Sequence, residues 1–515
     1  MSTGGYRLGI DVGGTNTDAA LLDEDLRVVG SVKTPTTADT GEGVERAIDL
    51  LLERTGCPPE AIAHAMLGTT HCTNAIVQRR GLGRVGVIRL GAPATTSVPP
   101  LEGWPGELRT AVEGGSAMLP GGHEIDGRPI TEFDPAALAR TCERLRGEVD
   151  AVAITGVFSP VVPEQERQAA RIAAELLGVP VSVSAEIGAV GLLERENATI
   201  LNAALRSTLD SMSRGFSRAL QARGVTAQIW FGQNDGTLMS LDYARRFPVL
   251  TIGCGPTNSI RGAAHLSRMT DGLVMDIGGT TTDIGVLTGG FPRQSAQAVD
   301  IGGIRTNFRM PDVLATGLGG GSVVHGSGRD LQVGPGSVGY RITSAALAFG
   351  GETLTATDVA LASGWAQIPG TRPVTLDAAT LEAARERIRA GLEDAVDRMK
   401  PDAAPIDVVL VGGGALIAPP ELDGVARLVR PEHAGAANAI GAALGDIAGQ
   451  AEQTFQLTET PHREAVARAG AVATERAVAA GARPGTVRIA AIEEVPLAYS
   501  AGGAVTIRAR AVGSL

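Results

Sequence analysis

The sequence predicts an α/β protein that folds into two lobes with a ligand cleft between them. Its 515 residues are more than one hydrophobic core usually supports. An eight-residue motif that starts at Asp11 recurs at Asp276, a separation too long for a solenoid repeat. Many of the 69 glycines stand in short clusters beside apolar segments, which predicts tight turns at strand ends. Together these observations favour two related lobes.

The repeated motif is DVGGTNTD at residues 11–18 and DIGGTTTD at residues 276–283. Each copy lies between two short apolar segments, which predicts a β-hairpin whose glycines let backbone amides approach an anion. Threonine hydroxyls add donors without adding charge, so the expected anion is phosphate. A single copy would also fit a hairpin without a ligand, but two copies favour a bound nucleotide. The predicted nucleotide-binding residues are Gly13, Gly14, Thr15, Asn16 and Thr17 in the first copy and Gly278, Gly279, Thr280 and Thr281 in the second.

Aspartates stand at both ends of each motif. Asp11 and Asp276 end the leading strands, where a carboxylate holds hydrated magnesium or orients an attacking water. Asp18 and Asp283 close the motifs, where they act in the same way or stabilise the turn by hydrogen bonds. We expect Asp11, Asp276 and Asp283 to be catalytic, with Asp11 and Asp276 as magnesium ligands.

A third glycine cluster, Gly412, Gly413 and Gly414, follows an apolar segment at residues 408–411. These glycines suit close packing of the backbone against an adenosine, and they suit equally a turn that begins a helix. We include all three among the predicted nucleotide-binding residues.

Composition limits the classes of partner. The formal net charge of −11, with both signs interspersed, argues against nucleic acid or an anionic membrane surface. Aromatic residues make up 3% of the chain, too few for a platform that stacks bases. Four scattered cysteines do not form a disulfide framework, and no apolar run reaches the length of a membrane span. We expect a cytoplasmic protein that binds a small molecule or another protein.

The chain divides by pattern into three parts. Residues 1–184 are the predicted first lobe, in which the segment near 93–134 lacks clear periodicity and is expected to be a peripheral insertion or a long loop. Residues 185–450 are the predicted second lobe, which contains an inserted subdomain. Residues 451–515 hold one helical and two strand-like segments, which predicts a small α+β extension. Each lobe is expected to contain a mixed five-stranded sheet.

Several further segments, in this order, resemble the hydantoinase A and 5-oxoprolinase family of the actin/hexokinase/Hsp70 superfamily. They are LGTTHCTNA at residues 67–75, QNDG at 233–236, GP at 255–256, GGGS at 319–322 and VGPGS at 333–337. The resemblance implies two RNase H-like lobes that close around ATP and Mg²⁺. It also implies opening of a cyclic amide or imide, such as hydantoin or 5-oxoproline, after phosphorylation of the ring carbonyl oxygen. Members of this family commonly work with a separately encoded second subunit.

Three polar side chains in the family-like segments are substrate candidates, namely His71, Asn74 and Asn234. A histidine at a helix start and asparagines at turns and caps are the structural alternatives. Cys72 and Cys254 are expected to be small buried side chains. Leu67 and Leu314 stand where the family often has histidines, which argues against a metal site built on those positions.

Two other functions fit the same pattern. A small-molecule kinase of this superfamily would transfer the phosphoryl group to a hydroxyl. A nucleotide-dependent activator would use ATP to change the conformation of a partner enzyme. The sequence leaves open the substrate, the need for a second subunit and the formation of a homo-oligomer.

Overall fold

The computed structural model describes residues 5–13, 16–35, 40–295, 299–307, 309–497 and 503–515. Within these residues, the strands are β1 (Tyr6–Val12), β2 (Asn16–Leu22), β3 (Val28–Pro35), β4 (Ile62–Thr69), β5 (Val85–Ala92), β6 (Glu113–Pro120), β7 (Ala151–Gly156), β8 (Val181–Val183), β9 (Gln228–Gly232), β10 (Leu238–Ser240), β11 (Gly272–Ile277), β12 (Thr282–Thr288), β13 (Phe291–Pro292), β14 (Val299–Ile301), β15 (Ile304–Thr306), β16 (Val313–Thr316), β17 (Ser322–His325), β18 (Gln332–Ser337), β19 (Ile406–Val411), β20 (Val425–Val429), β21 (Ile447–Gln456), β22 (Arg488–Pro496) and β23 (Ala504–Gly513).

The helices are α1 (Thr40–Thr55), α2 (His71–Gln78), α3 (Gly106–Val112), α4 (Pro135–Leu145), α5 (Glu164–Leu177), α6 (Leu192–Ala204), α7 (Arg206–Gln221), α8 (Leu241–Arg246), α9 (Cys254–Ser267), α10 (Ile342–Ala345), α11 (Ala356–Ala362), α12 (Ala378–Met399), α13 (Ala437–Ala443) and α14 (His462–Ala479). None of these helices is both long and apolar enough to cross a membrane.

The first sheet has nine strands in the order β22-β23-β21-β10-β9-β4-β1-β2-β3. β1 and β2 form the hairpin of the first motif, and β1, β4 and β9 run parallel to one another. The apolar residues of β1 and β2, such as Leu8, Ile10 and Leu21, are almost completely buried. Strands covered on both faces are expected to be this uniformly apolar. The carboxyl ends of three neighbouring strands therefore meet at one edge.

The second sheet repeats the centre of the first. Its strands lie in the order β13-β12-β11-β19-β20, with β16 also paired to β12. β11 and β12 form the hairpin of the second motif, and β19 lies parallel to β11 as β4 lies parallel to β1. The repeated motif is thus part of a repeated sheet arrangement, as expected for two related lobes.

A smaller parallel sheet, β6-β5-β7-β8, has its own core between the sheet and helices α4 and α5. The interpretation of residues 93–134 as a long loop was wrong, because α3 and β6 lie within this segment and β6 pairs with β5. β6 is an edge strand that contains Gly114 and Gly115. Glycines in a strand and a half-buried edge weaken the apolar pattern from which a strand is recognised.

The predicted boundaries at residues 184 and 450 do not coincide with the division between the two large sheets. β9 and β10, at residues 228–240, belong to the first sheet, and β21 to β23 extend that sheet from β10. Residues 451–515 therefore complete the first lobe and do not form a separate extension. The expectation of five strands in each sheet was also wrong, because the two sheets have nine and six strands in the part of the chain that the structure describes. Pairing of β10 with β21 joins segments that lie far apart in sequence, so no local pattern indicates it.

Helices α9 and α13 cross between the two large sheets. α9 packs against strands of the second sheet, and α13 packs against β1 and β2. Gly262 faces the backbone of Ala437 and Gly441 faces the backbone of Asn258. The two helices therefore touch backbone to backbone at the junction between the lobes.

Candidate active site

The two motifs turn in the same way. The Gly13 amide donates a hydrogen bond of 3.0 Å to the Asn16 carbonyl, and the Gly278 amide donates one of 2.8 Å to the Thr281 carbonyl. Gly14 and Thr15, which were predicted to bind nucleotide, lie outside the described residues. The hairpins are thus equivalent in backbone geometry where both are described.

Four carboxylates stand in two matched pairs. Asp11 is directly opposite Asp18 in the first hairpin, and Asp276 is directly opposite Asp283 in the second. Directly opposite residues of antiparallel strands project from the same face. Asp18 therefore lies with the predicted catalytic residues Asp11, Asp276 and Asp283 as a member of the matched pairs. The sequence had left open whether Asp18 is catalytic or stabilises the turn.

Burial changes the acidity of these carboxylates. It raises the pKa of Asp11 to about 7, and the negative charges of Asp18 and Asp276 add to the effect. It likewise raises the pKa of Asp283 to about 7, with a further contribution from Asp276. Burial also raises the pKa of Asp18 and of Asp276. A carboxylate that titrates near neutral pH is suited to accept or release a proton during catalysis.

Two residues that the sequence analysis did not select connect the carboxylate pairs. The Asn438 amide donates a hydrogen bond of 3.4 Å to Oδ2 of Asp11. The Ser259 hydroxyl lies 2.5 Å from Oδ2 of Asp276 and also contacts Oδ1 of Asn438. Asn438 and Ser259 thus link the carboxylates of the two hairpins. The sequence contained one indication of Asn438, because it is a single amide side chain in a segment rich in alanine and glycine.

The carboxylate cluster fits a magnesium ion. Oδ1 of Asp11 is buried and has no hydrogen-bond partner among the described residues. A Cβ atom at Gly68 would clash with Nδ2 of Asn258 and would lie 2.8 Å from this oxygen, so the glycine lets the Asn258 side chain and the Asp11 carboxylate come close together. In the described part of the chain, no three His, Cys, Asp or Glu side chains converge as a metal site. Magnesium commonly uses one or two carboxylates together with phosphate and water, which Asp11 and Asp276 would satisfy.

The third glycine cluster packs against the second hairpin. The Gly414 amide donates to the Ile277 carbonyl at 2.7 Å, and the Gly412 amide donates to the Ala434 carbonyl at 3.0 Å. Gly413 is exposed. Gly412 and Gly414 thus use their amides to hold the backbone around the hairpin, and the packing of the three glycines against a nucleotide stays a prediction.

The GGGS segment supports the same hairpin from another direction. The Gly320 amide donates to the Gly278 carbonyl at 3.0 Å, and the Gly321 amide donates to the Gly279 carbonyl at 2.7 Å. These bonds orient the Gly278 and Gly279 carbonyls towards the GGGS segment. The sequence showed the segment only as part of the family pattern.

His71 and Asn74 lie at the carboxyl end of β4, next to β1. The Thr69 hydroxyl accepts a hydrogen bond of 3.0 Å from the His71 amide and lies 3.2 Å from its Nδ1. Burial lowers the pKa of His71, which favours the neutral ring. The Asn74 amide donates to the Thr70 hydroxyl at 3.3 Å. The structure thus places both candidates beside the first hairpin, where their hydrogen bonds stabilise the start of α2.

Asn234 follows β9 at the same edge of the sheet, but its side chain is used for backbone hydrogen bonds. Oδ1 accepts from the Gly253 amide at 2.7 Å, and Nδ2 donates to the Val249 carbonyl at 3.3 Å. These bonds hold the start of α9. Asn234 also borders a pocket lined in part by Tyr243, Arg309 and Arg476.

The four cysteines are free and buried. Burial raises the pKa of Cys72 to about 11 and that of Cys254 to about 12. The Cys254 thiol donates to the Thr69 carbonyl at 3.2 Å. Neither thiol is activated as a nucleophile, in agreement with the expected role as small buried side chains.

The chain belongs to the hydantoinase/oxoprolinase family. The family's N-terminal region matches residues 7–177, and the hydantoinase/oxoprolinase region matches residues 195–368. The family inferred from the sequence motifs is therefore confirmed.

Curated relatives include subunits of two kinds of enzyme. The chain is 29% identical to the caprolactamase subunit alpha of Pseudomonas jessenii over 432 residues, which cover 77% of this chain and 60% of that protein. It is 26% identical to the acetone carboxylase beta subunit of Xanthobacter autotrophicus over 399 residues, which cover 70% and 54%. The chain thus spans slightly more than half the length of the curated relatives that it matches.

Two solved structures share the fold. The ATP-dependent caprolactamase of Pseudomonas jessenii has a TM-score of 0.79 and 20% identity, and nucleotide-free acetone carboxylase has a TM-score of 0.68 and 18% identity. Each comparison covers 99% of this chain and 88% of the other. The predicted α/β fold is therefore confirmed.

Proposed function

We propose that this chain is the nucleotide-binding subunit of an ATP-dependent hydrolase that opens a cyclic amide or imide of the hydantoin, 5-oxoproline or simple lactam type. The observation that carries this proposal is the linkage of two matched carboxylate pairs through Asn438 and Ser259. The relationship to a caprolactamase subunit favours a cyclic amide as the substrate.

Each hairpin has a role in this proposal. Residues 13–17 and 278–281 bind the phosphates from the two lobes through backbone amides and threonine side chains, apart from the Gly13 and Gly278 amides, which hold the turns. Asp11 and Asp276 hold Mg²⁺, which neutralises phosphate charge when it is bound. Asp283, whose pKa burial raises to about 7, accepts a proton from the attacking water. Closure of the lobes excludes bulk water during the reaction.

The use of ATP has a chemical reason. Amide resonance makes the ring carbonyl a poor electrophile, and transfer of the terminal phosphoryl group to the carbonyl oxygen, with loss of the N–H proton, removes that resonance. Water then adds to the carbon, and the ring C–N bond breaks as the nitrogen takes up a proton. A second water hydrolyses the resulting acyl phosphate. One cyclic amide, one ATP and two waters thus give an amino acid, ADP and phosphate.

A second, separately encoded subunit is part of the proposal. The curated relatives carry names such as subunit alpha, beta subunit and gamma subunit, which favour this part of the proposal. A cytoplasmic location also belongs to the proposal, because the four unpaired cysteines suit a reducing compartment.

One alternative is favoured by a specific observation. The matches to an acetone carboxylase beta subunit and an acetophenone carboxylase gamma subunit, both at 26% identity, favour ATP-dependent carboxylation of a ketone as the second candidate. Both candidates use ATP at the same cleft, so the substrate distinguishes them.

The deciding experiment measures phosphate release from ATP by the purified chain with Mg²⁺, alone and with its co-encoded second subunit. The panel contains caprolactam, hydantoins, 5-oxoproline, a ketone with bicarbonate, and hydroxyl compounds. We expect a cyclic amide to stimulate release, with one ring opened per ATP hydrolysed. Stimulation only by ketone with bicarbonate would establish the carboxylase alternative. Phosphorylation of a hydroxyl would indicate a kinase, and ATP turnover coupled only to activation of the second subunit would indicate an activator.

Site variants test the location of the reaction. Asp11→Asn and Asp276→Asn are expected to abolish ATP turnover, because each removes a carboxylate from the cleft. Asp394→Asn is the matched control, since the Asp394 side chain is 66% exposed on α12. Wild-type turnover in either cleft variant would contradict the proposed site.

A further inference from the structure

Lys33 ends a row of charged side chains that crosses three strands of the first sheet. Asp11 on β1 is opposite Asp18 on β2, and Asp18 is opposite Lys33 on β3. All three side chains therefore share one face of the sheet. The row points the ammonium group of Lys33 at the carboxylate cluster.

The second lobe repeats the carboxylates of this row but not the cation. Asp276 is opposite Asp283, and the residue opposite Asp283 on the next strand, β16, is Ala315. The lysine thus stands beside the more deeply buried pair, because Asp11 and Asp18 are 4% and 6% exposed whereas Asp276 and Asp283 are half-buried. Because only the first lobe has a lysine in this row, we expect the role of Lys33 to lie on the first-lobe side of the cleft.

Lys33 reaches across the opening between the lobes. Its Nζ lies 2.5 Å from Oδ1 and 2.6 Å from Oδ2 of Asp18. Its Cε lies 4.0 Å from the position that a Cβ would occupy at Gly413, on the turn after β19. The Lys33 side chain is 37% exposed, so its head group can leave Asp18 without crossing a packed core.

The choice of lysine is informative in this chain. Of the 45 basic residues, only Lys33 and Lys400 are lysines, and the others are arginines. Lys400 follows α12 and pairs with Asp397, away from the cleft. An ammonium is a compact charge on a flexible stem, whereas a guanidinium is a planar group suited to a fixed geometry. Lysine at residue 33 therefore provides a mobile cation, which arginine would not.

A cation at residue 33 would offset part of the negative charge of a bound nucleotide. Four carboxylates already face the cleft, and a nucleoside triphosphate adds about four negative charges, of which one Mg²⁺ neutralises two. Burial raises the pKa of Asp11, Asp18 and Asp276, and the Lys33 ammonium opposes that effect at all three. The same charge is therefore within electrostatic reach of both hairpins.

We propose that Lys33 binds the terminal phosphate of the nucleotide, with its ammonium group moving from Asp18 to the phosphate oxygens when a triphosphate occupies the cleft. The inference rests on the proposed ATP site and adds the residue that distinguishes ATP from ADP. Lys33 donates hydrogen bonds to the phosphate, and Asp18 holds the ammonium in place when the phosphate is absent.

Binding of ATP and ADP, each with Mg²⁺, tests the inference by calorimetry on the full chain. Lys33→Met is expected to weaken ATP binding about 10–100-fold, the usual effect of losing a hydrogen bond to a charged group. ADP binding is expected to change less than about threefold. Lys400→Met is the matched control and is expected to bind both nucleotides as the wild type does. Equal losses for ATP and ADP, or no loss, would overturn the inference.

A second measurement uses the unaltered sequence. Reductive methylation with ¹³C-formaldehyde labels the two lysines and the terminal amine, and Lys33→Arg identifies the Lys33 signal in the NMR spectrum. We expect this signal to shift with a non-hydrolysable ATP analogue and to stay in place with ADP. A stationary Lys33 signal in protein that binds the analogue would overturn the role of Lys33 alone. Absence of binding by the wild-type chain would overturn the proposed nucleotide site as well.

Discussion

The carbonyl oxygen of Asn258 lies so close to Gly441 that a methyl group at residue 441 has no room. This contact joins α9 to α13, and it therefore joins the second sheet to the first. Ser259 follows Asn258 on α9, and Asn438 lies one turn before Gly441 on α13. The spacing of the two carboxylate pairs thus depends on a close crossing of two helices.

Gly441→Ala is expected to destabilise the protein. Overpacking typically costs about 1–3 kcal/mol, and the obstacle here is backbone, which yields less than a side chain. The gain from alanine in a helix is at most about 1 kcal/mol, so the net loss is expected to be about 2 kcal/mol. Urea denaturation measures it. Gly435→Ala is the control, because a Cβ at that position meets no other atom within 4 Å, and equal stability of the two variants would contradict the prediction.

The stability of the free protein is expected to depend on the ionisation of Asp11. Burial raises the pKa of Asp11 to about 7, whereas an aspartate in an unfolded chain titrates near about 3.9. The folded state keeps a proton that the unfolded state loses as the pH rises from about 4 to about 7. The buried charge therefore lowers the free energy of unfolding progressively across this window, and the loss is complete above pH 7.

Asp11→Asn, which stays neutral, is consequently expected to exceed the wild type in stability at pH 8, by up to about 4 kcal/mol. The advantage should shrink towards pH 5. Thermal unfolding without nucleotide and Mg²⁺ at both pH values measures the difference. Asp394→Asn serves as the exposed control, and a pH-independent advantage of Asp11→Asn would show that the charge of Asp11 is not its cause.

Removal of the Ser259 hydroxyl is expected to impair catalysis more than folding. Ser259→Ala takes away the hydrogen bond that lowers the pKa of Asp276. Loss of a residue that orients a metal ligand typically reduces activity about 10–100-fold. The acid side of the pH–rate profile should also move to higher pH. Ser267→Ala on the same helix is the control, because that hydroxyl bonds only to nearby backbone, and an unmoved profile would show that Ser259 does not act on Asp276.

The folded protein is expected to resist thiol reagents. All four cysteines are buried, and burial raises the pKa of each, to about 11 for Cys72 and about 12 for Cys254. Iodoacetamide at pH 8, followed by mass spectrometry, should modify none of them in the native state and all of them in urea. Rapid native modification of Cys254 would contradict its burial against Thr69.

The hairpins were predictable from sequence because their information is local. Apolar segments on either side of a glycine turn specify β1 with β2 and β11 with β12, and the duplicated motif places Asp11 and Asp276 at equivalent strand ends. The association of β10 with β21 depends on segments that lie about 200 residues apart. The extent of the first sheet therefore could not be read from the sequence.

The candidate site was likewise predictable only where its residues lie close together in the sequence. The aspartates stand within the repeated motif, but Asn438, Ser259 and Lys33 reach them only through helix crossing and strand pairing. Asn234 is a different case, because its contact with a substrate stays a prediction. Its amide sits among family-like residues, and only the structure shows that backbone groups already use it.

The order of strands in the first sheet has a consequence for synthesis of the protein. β11 to β20 are continuous in the chain, so a ribosome delivers the whole second sheet as one segment. β10 lacks its neighbour β21 until that strand has been synthesised. β23, which pairs with β21, is complete only when residue 513 has been added. During translation the second sheet can therefore assemble while part of the first sheet still has an unpaired edge, which is the part of the nascent protein most open to pairing with another chain.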